Sequence, residues 1–285
     1  MKRVLLTGSG GFIGSHLKKY LKEYILFTPR SFELNLLDRV ETEKYIEKNN
    51  IDYIVHCASC GVRIMPDATL EEVSAPNIQM FKNLLESGIP IITIGSGAEY
   101  DKSRSLINIR EENFGEFIPK DPYGYSKYLI SKEIEKKDNI LNLRLFGIYG
   151  LGEDPSRVTS CIINDNLNHR PIMLNQNVRF HFIWIDDFCK IVKFFLEHET
   201  SEKFINIAPT QSIEIIELAN IINELSDYKS EIVFKKTGLN REYTADNSRL
   251  LKEYTDLEFT DHHTGMNVLY NQIKSELKLT RTLPK

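Results

Sequence analysis

Eight residues near the amino end, Thr7-Gly8-Ser9-Gly10-Gly11-Phe12-Ile13-Gly14, constrain the fold more than any other stretch of the chain. They follow an apolar run, Arg3 to Thr7, and open a segment in which Ile13, Leu17 and Leu21 recur four apart. That spacing places the three on one helical face. A glycine turn between a strand and a helix lets backbone N–H groups approach a pyrophosphate at the helix N-terminus, where a side chain would block them. Gly8, Gly11 and Gly14 recur every three residues. Gly8, Gly11, Phe12, Ile13 and Gly14 are therefore the expected nucleotide-binding loop.

The alternation of strand and helix continues. Ile25-Leu26-Phe27, Ile51 to Ala58, Pro90 to Ile94 and Ile140 to Leu145 read as strands. Helices are expected at Phe12 to Lys22, around Pro76 to Glu86 and from Tyr123 to Lys137. This pattern predicts the α/β class, a Rossmann-type doubly wound parallel sheet covered on both faces, with ligands at the carboxyl ends of its strands. After about residue 150 the pattern loosens, and a smaller α+β carboxyl-terminal substrate lobe is expected. The expected boundaries are 1–155 for the dinucleotide-binding domain, with segments around 182–208 returning to it, and 156–285 for the interrupted lobe.

Composition excludes several classes. The 285 residues are 41 % hydrophobic and 27 % charged, which is ordinary globular usage. The net charge of −4 leaves no basic excess for phosphate backbones, so no nucleic-acid partner is expected. No apolar run approaches the roughly 18 residues of a spanning helix, and the opening apolar stretch is short for a signal peptide. A soluble cytoplasmic protein with no membrane partner is the expectation. Four cysteines make no disulfide framework. Cys57-Ala58-Ser59-Cys60 has C-x-x-C spacing but no second pair, and it ends an apolar run, so it reads as the end of a buried strand. His262-His263 has no partner ligands nearby in sequence, and no metal is expected.

With these motifs in place, the chain resembles the extended short-chain dehydrogenase/reductases, the NAD(P)-dependent nucleotide-sugar epimerases, dehydratases and reductases. The G-x-x-G-x-x-G turn carries the likeness first. His56-Cys57-Ala58 is similar to the family's H-x-A strand end, which implies that Ala58 lies beside the cofactor. Asn77 with Asn83-Leu84-Leu85 resembles its N-x5-N-L-L helix. Arg144-Leu145-Phe146-Gly147-Ile148-Tyr149-Gly150 resembles L-R-x-x-N-x-Y-G, with Gly147 where Asn is usual. Phe182-Ile183-Trp184-Ile185-Asp186-Asp187 is similar to F-I-x-V-x-D. The two aspartates are expected to cap the helix that follows.

NAD enzymes hold the ribose 2′-OH with an acidic residue at the end of the second strand. Phe27-Thr28-Pro29-Arg30 has no carboxylate there, and a guanidinium suits a 2′-phosphate. The expectation is NADP(H) rather than NAD(H), with Arg30 on the phosphate. Glu33 to Asp38 resembles GDP-fucose synthase-like reductases, which implies that Asp38 meets the adenine.

Tyr123-Gly124-Tyr125-Ser126-Lys127 contains Tyr-x-x-x-Lys, and i, i+4 positions share a helical face. A phenol with an ordinary pKa of about 10 needs help to exchange a proton near neutrality, and an ammonium one turn away stabilises its phenolate. Pro122 suits a first helical turn. Ile94-Gly95-Ser96-Gly97-Ala98-Glu99-Tyr100 resembles the family's S-S-x-x-x-Y-G strand end, which implies that Ser96 hydrogen-bonds the reacting oxygen. The expected catalytic set is Ser96, Tyr123 and Lys127, with Tyr123 and Lys127 also touching the cofactor.

In this family the 4,6-dehydratases place Asp-Glu directly after the catalytic Ser or Thr. Here Gly97-Ala98 stands there, and Glu99 would point to the other side of a continuing strand. The GDP-fucose synthases place a Cys where Ala98 is, and the later Pro155 to Cys161 stretch has no His. Hydride transfer alone remains. The resemblance then implies NADPH-dependent reduction of a 4-keto(-6-deoxy) nucleotide-diphosphate sugar at C4, in surface-polysaccharide sugar biosynthesis. The alternatives are an NAD-dependent 4-epimerase and, from another class, a catalytically silent dinucleotide-binding regulator or scaffold. Arg241, before Asp246-Asn247-Ser248-Arg249-Leu250, resembles the family's diphosphate arginine, and Arg179 is the second candidate for the nucleotide-sugar substrate. A homodimer through the helices near 70–86 and 123–137 is the family expectation.

Overall fold

Strand β1 (Arg3–Thr7) splits its residues between two apolar layers, as period-2 alternation requires in a sheet covered on both sides. Val4 and Leu6 join one buried cluster, and Leu5 joins the other. The computed structural model describes residues 1–60 and 69–282. Around β1 stand β2 (Ile25–Phe27), β3 (Tyr53–His56), β4 (Ile91–Ser96) and two later strands, Ile140–Leu145 and Phe204–Ile207. All pairs are parallel, in the order Phe204–Ile207, Ile140–Leu145, β4, β3, β1, β2. The chain leaves β1 first toward β2 and then toward β3 on its other side. A crevice opens at that reversal, outside the carboxyl ends of β1 and β3.

Helix α1 (Phe12–Tyr20) and the helix Ile185–Glu197 cover one face, where Leu17, Phe188, Ile191 and Val192 are buried. The other face is covered by α2 (Arg39–Lys48), α3 (Leu70–Leu85) and α4 (Pro122–Ile134), through Ile46, Phe81, Leu84, Ile130 and Ile134. Helix α3 begins six residues before Pro76, in line with the expected 70–86 helix, because Thr69 and Glu72 form a reciprocal capping box that fixes its start upstream of the proline. One helical expectation is corrected. Trp184 is the N-cap of the helix after Phe182–Trp184, with no side-chain cap, so the aspartates do not cap it. Asp187 is buried instead, accepting from the Thr260 amide at 2.7 Å and from Lys190.

The second lobe is built around a four-stranded sheet, Ile213–Glu214, Arg179–Phe180, Tyr243–Ala245 and Leu106–Ile109. One of its strands, Leu106–Ile109, comes from the first half of the chain and pairs with Tyr243–Ala245. Between this sheet and the main one lies a third apolar cluster with Tyr100, Phe146 and Tyr243. Among the described residues, no helix is long and apolar enough to cross a membrane.

Candidate active site

The glycine turn lies at the crevice. Gly8 has φ +67°, a left-handed conformation that side chains disfavour, and its carbonyl accepts the Gly11 amide at 3.0 Å. Helix α1 starts at Phe12, with Phe12 and Ile13 half-buried in its first turn. A Cβ on Gly14 would stand 2.2 Å from the Gly8 carbonyl oxygen, so the helix packs onto the turn only because that atom is missing. At Gly8 a Cβ would meet the Ala58 nitrogen at 2.6 Å, which puts the ends of β1 and β3 in backbone contact.

A cavity of about 410 Å³ adjoins the turn, lined by Gly8, Gly10, Gly11, Arg30, Ala58 and Met80 among others. The exposed Arg30 folds over the turn: a Cβ on Gly10 would be 2.3 Å from its Nη1. Asp38 is not among the lining residues, although Leu36 and Leu37 are. Its carboxylate caps α2 by accepting the Glu41 amide at 2.9 Å. The two family asparagines hold the walls. Asn77 accepts from the Cys60 amide at 2.7 Å and donates to the Cys60 carbonyl at 2.9 Å. Asn83 donates to the Leu36 carbonyl at 2.8 Å. Nothing in their spacing marks that bracing role. Fixed amides at a helix N-terminus, a cradle that a Cβ would fill and an overlying guanidinium fit a dinucleotide.

Ser96 ends β4 and is buried. Its Oγ accepts the Ala98 amide at 3.2 Å. The strand does not continue past it. Gly97–Tyr100 forms a 3-10 turn, which corrects the expected direction of Glu99. The Glu99 side chain is fully buried, with one oxygen accepting the Ser96 amide at 2.9 Å and the other accepting Arg144 Nε at 2.7 Å. Arg144 is itself buried and donates to the Tyr100 hydroxyl.

Helix α4 packs its first turn on this 3-10 turn. A Cβ on Gly124 would sit 2.7 Å from the Ala98 carbonyl oxygen, and Asp121 caps the helix by accepting the Gly124 amide at 3.0 Å. Tyr123 is half-buried there, with the Lys102 ammonium 5.8 Å from its ring centre. One turn on, Lys127 is buried and donates to the Ile94 carbonyl at 2.7 Å. Its charge reaches the end of β3. Burial, reinforced by Lys127, holds His56 down at about 3, and burial pushes the Cys57 thiol up to about 12, against the pull of Lys127. The lysine thus stands between the Ser96 strand end and the crevice.

Tyr243 of the second lobe completes the group. It is buried, and its hydroxyl lies against Gly97, the residue that follows Ser96, with Tyr123 nearby. Its sequence position gave no signal of this contact. Arg179 is exposed and paired with Glu214 at 3.0 Å. Arg241 is exposed two residues before Tyr243. Neither arginine has a contact with Ser96 or Tyr123. Among the described residues, no group of three or more His, Cys, Asp or Glu could hold a metal ion. All the cysteines are free.

Comparison with known proteins places this geometry. The chain is 26 % identical to the uncharacterized UDP-glucose epimerase YtcB of Bacillus subtilis, over 81 % of this chain and 84 % of that one. It shares its fold with a UDP-glucose 4-epimerase of Thermotoga maritima solved with UDP-glucose, at 20 % identity and a TM-score of 0.83, covering 96 % and 99 % of the two chains. A GDP-mannoheptose C4 reductase of Campylobacter jejuni with NADP bound superposes with a TM-score of 0.81 at 16 % identity, covering 96 % and 98 %. The pattern of the NAD dependent epimerase/dehydratase family matches residues 4–208, from the first strand of the main sheet to its last, and the chain belongs to that family.

Proposed function

We propose that the protein reduces the C4 ketone of a 4-keto(-6-deoxy) nucleotide-diphosphate sugar, using NADPH. The observation that carries the reading is the turn after Ser96. Gly97 and Ala98 offer no acid or base, and the carboxylate of Glu99 is engaged by Arg144 and the Ser96 amide. Proton removal at a sugar carbon and expulsion of a hydroxyl both need such a group. Carbonyl reduction needs only a proton donor, an oxygen-positioning group and a hydride source.

Bound NADPH would supply the hydride. The glycine turn and the α1 N-terminus would hold its pyrophosphate, Ala58 would border it, and Arg30 would meet the 2′-phosphate. Ser96 donates to the ketone oxygen and orients it. Tyr123 delivers the proton to that oxygen as general acid, and the Lys127 ammonium stabilises the phenolate left behind. Arg241, whose guanidinium makes no ion pair among the described residues, takes the sugar's diphosphate, with Arg179 as the secondary contact. A homodimer through the α3 and α4 helices completes the reading, and light scattering on the eluted protein tests it.

The decisive experiment incubates the purified protein with NADPH and a panel of keto-sugar nucleotides, following NADPH consumption and the product by NMR. Stoichiometric NADPH oxidation with a new C4 carbinol is the expected result. Interconversion of C4 epimers by protein that carries its own dinucleotide, without added NADPH, would instead identify the 4-epimerase.

A further inference from the structure

Tyr243 reaches the Ser96 turn from the other lobe, and its surroundings leave its hydroxyl one place to go. Its strand pairs with Phe180 on one side and with Leu106 on the other. The ring stacks on Phe180, centroids 4.6 Å apart, and leans on Phe146 at 4.9 Å. The phenolic oxygen then occupies the space a side chain at position 97 would need, since a Cβ on Gly97 would stand 2.5 Å from it. There it adjoins Ser96, the residue before Gly97 in the turn.

A serine hydroxyl has one proton and two lone pairs. One lone pair of Ser96 already takes the Ala98 amide. The proton is what a reacting sugar oxygen requires. A second donor is therefore the partner that leaves the serine proton free, and Tyr243 is placed to be it. Burial pushes the Tyr243 phenol well above its ordinary value, so it keeps its proton at any working pH.

We propose that Tyr243 is a positioning residue for Ser96: its hydroxyl donates to Ser96 Oγ, holds the serine rotor with its O–H toward the substrate oxygen, and requires glycine at position 97. The inference rests on the role given to Ser96 in the proposed reaction. It also ties the second lobe to the chemistry, because the serine is set only when the lobe strand is docked. A chain of two hydroxyls polarises in the direction that strengthens the bond to substrate.

Two measurements test it. The first needs no substrate. With ¹³Cζ-labelled tyrosine, the Tyr243 resonance is the one missing from Tyr243→Phe. It should move on Ser96→Ala, and an unmoved resonance overturns the hydrogen bond whether or not the protein reduces any keto sugar. The second is a double-mutant cycle on the active substrate. Tyr243→Phe should lower kcat about tenfold, the size of one lost hydrogen bond of about 1.4 kcal/mol, with KM and NADPH affinity within about twofold. In the Ser96→Ala background the same change should cost less than about twofold. Equal losses in both backgrounds, or a loss confined to KM, overturn the proposal. A wild-type protein that turns over no keto sugar counts against the proposed function, and the labelled-tyrosine result then decides this one alone.

Discussion

Glu99 accepts the backbone amide of Ser96 at 2.9 Å, so its carboxylate is engaged beneath the serine rather than beside its hydroxyl. The same carboxylate neutralises Arg144, whose side chain is wholly buried. Breaking one half of such a pair leaves an uncompensated charge in the core, which costs about 3–5 kcal/mol. Arg144→Met is expected to lower unfolding stability by about that amount in urea titrations. Glu43→Ala, which removes an exposed partner of Arg39, should leave it nearly unchanged. Similar losses in the two variants would mean that the buried pair is no more than a surface bridge.

Arg30 and Gly10 yield a selective pair of substitutions. A Cβ on Gly10 meets only the mobile end of Arg30, whereas one on Gly14 meets backbone. Gly10→Ala and Arg30→Ala should each weaken NADPH about tenfold or more, the worth of a charge-assisted contact, and leave NADH nearly unchanged. Gly14→Ala should weaken both dinucleotides together. Fluorescence titration of the reduced cofactors checks this. Equal loss of NADPH and NADH in Arg30→Ala would remove its phosphate role.

Tyr123→Phe should lower kcat by about 10²–10⁴-fold, the usual worth of a positioned proton donor. NADPH affinity should stay within about twofold, because the ring remains and the glycine turn is untouched. Lys127→Met should shift the pH profile as well as the rate, because the ammonium acts through the phenol. A Tyr123→Phe protein with wild-type kcat would remove Tyr123 from the role of proton donor.

The parts of the fold that are legible in the sequence are those with a local cause. The glycine turn, β1, β4 and α4 are written in short runs whose neighbours in sequence are also neighbours in space. Helix α2 escapes because its core contact rests chiefly on Ile46, with Thr42 buried beside it, so almost no periodicity shows. The direction of Glu99 escapes because it depends on whether a strand ends at Ser96 or runs on. The strand ends there, and a partner 45 residues later, Arg144, holds the carboxylate in the core. Tyr243 is harder still. It meets Ser96 across the two lobes, 147 residues away, through a sheet register that no local pattern encodes.

His56 should make the protein acid-sensitive. It is buried against Thr7, whose hydroxyl lies 2.8 Å from Nδ1, and burial with the nearby Lys127 lowers its value to about 3. In the unfolded chain the same ring titrates at about 6.5. Between these limits the unfolded state binds a proton that the folded state excludes. Stability is therefore full above about pH 6.5 and falls as the pH drops, at up to about 1.4 kcal/mol per pH unit, until the folded ring itself protonates near 3. Urea unfolding at pH 7, 6 and 5 should show this slope in the wild type. His56→Gln cannot take up that proton, and its slope should be shallower by about 1 kcal/mol per pH unit, whatever its absolute stability. Parallel slopes would mean that the ring is protonated in the folded protein, which the buried ammonium of Lys127 beside it opposes.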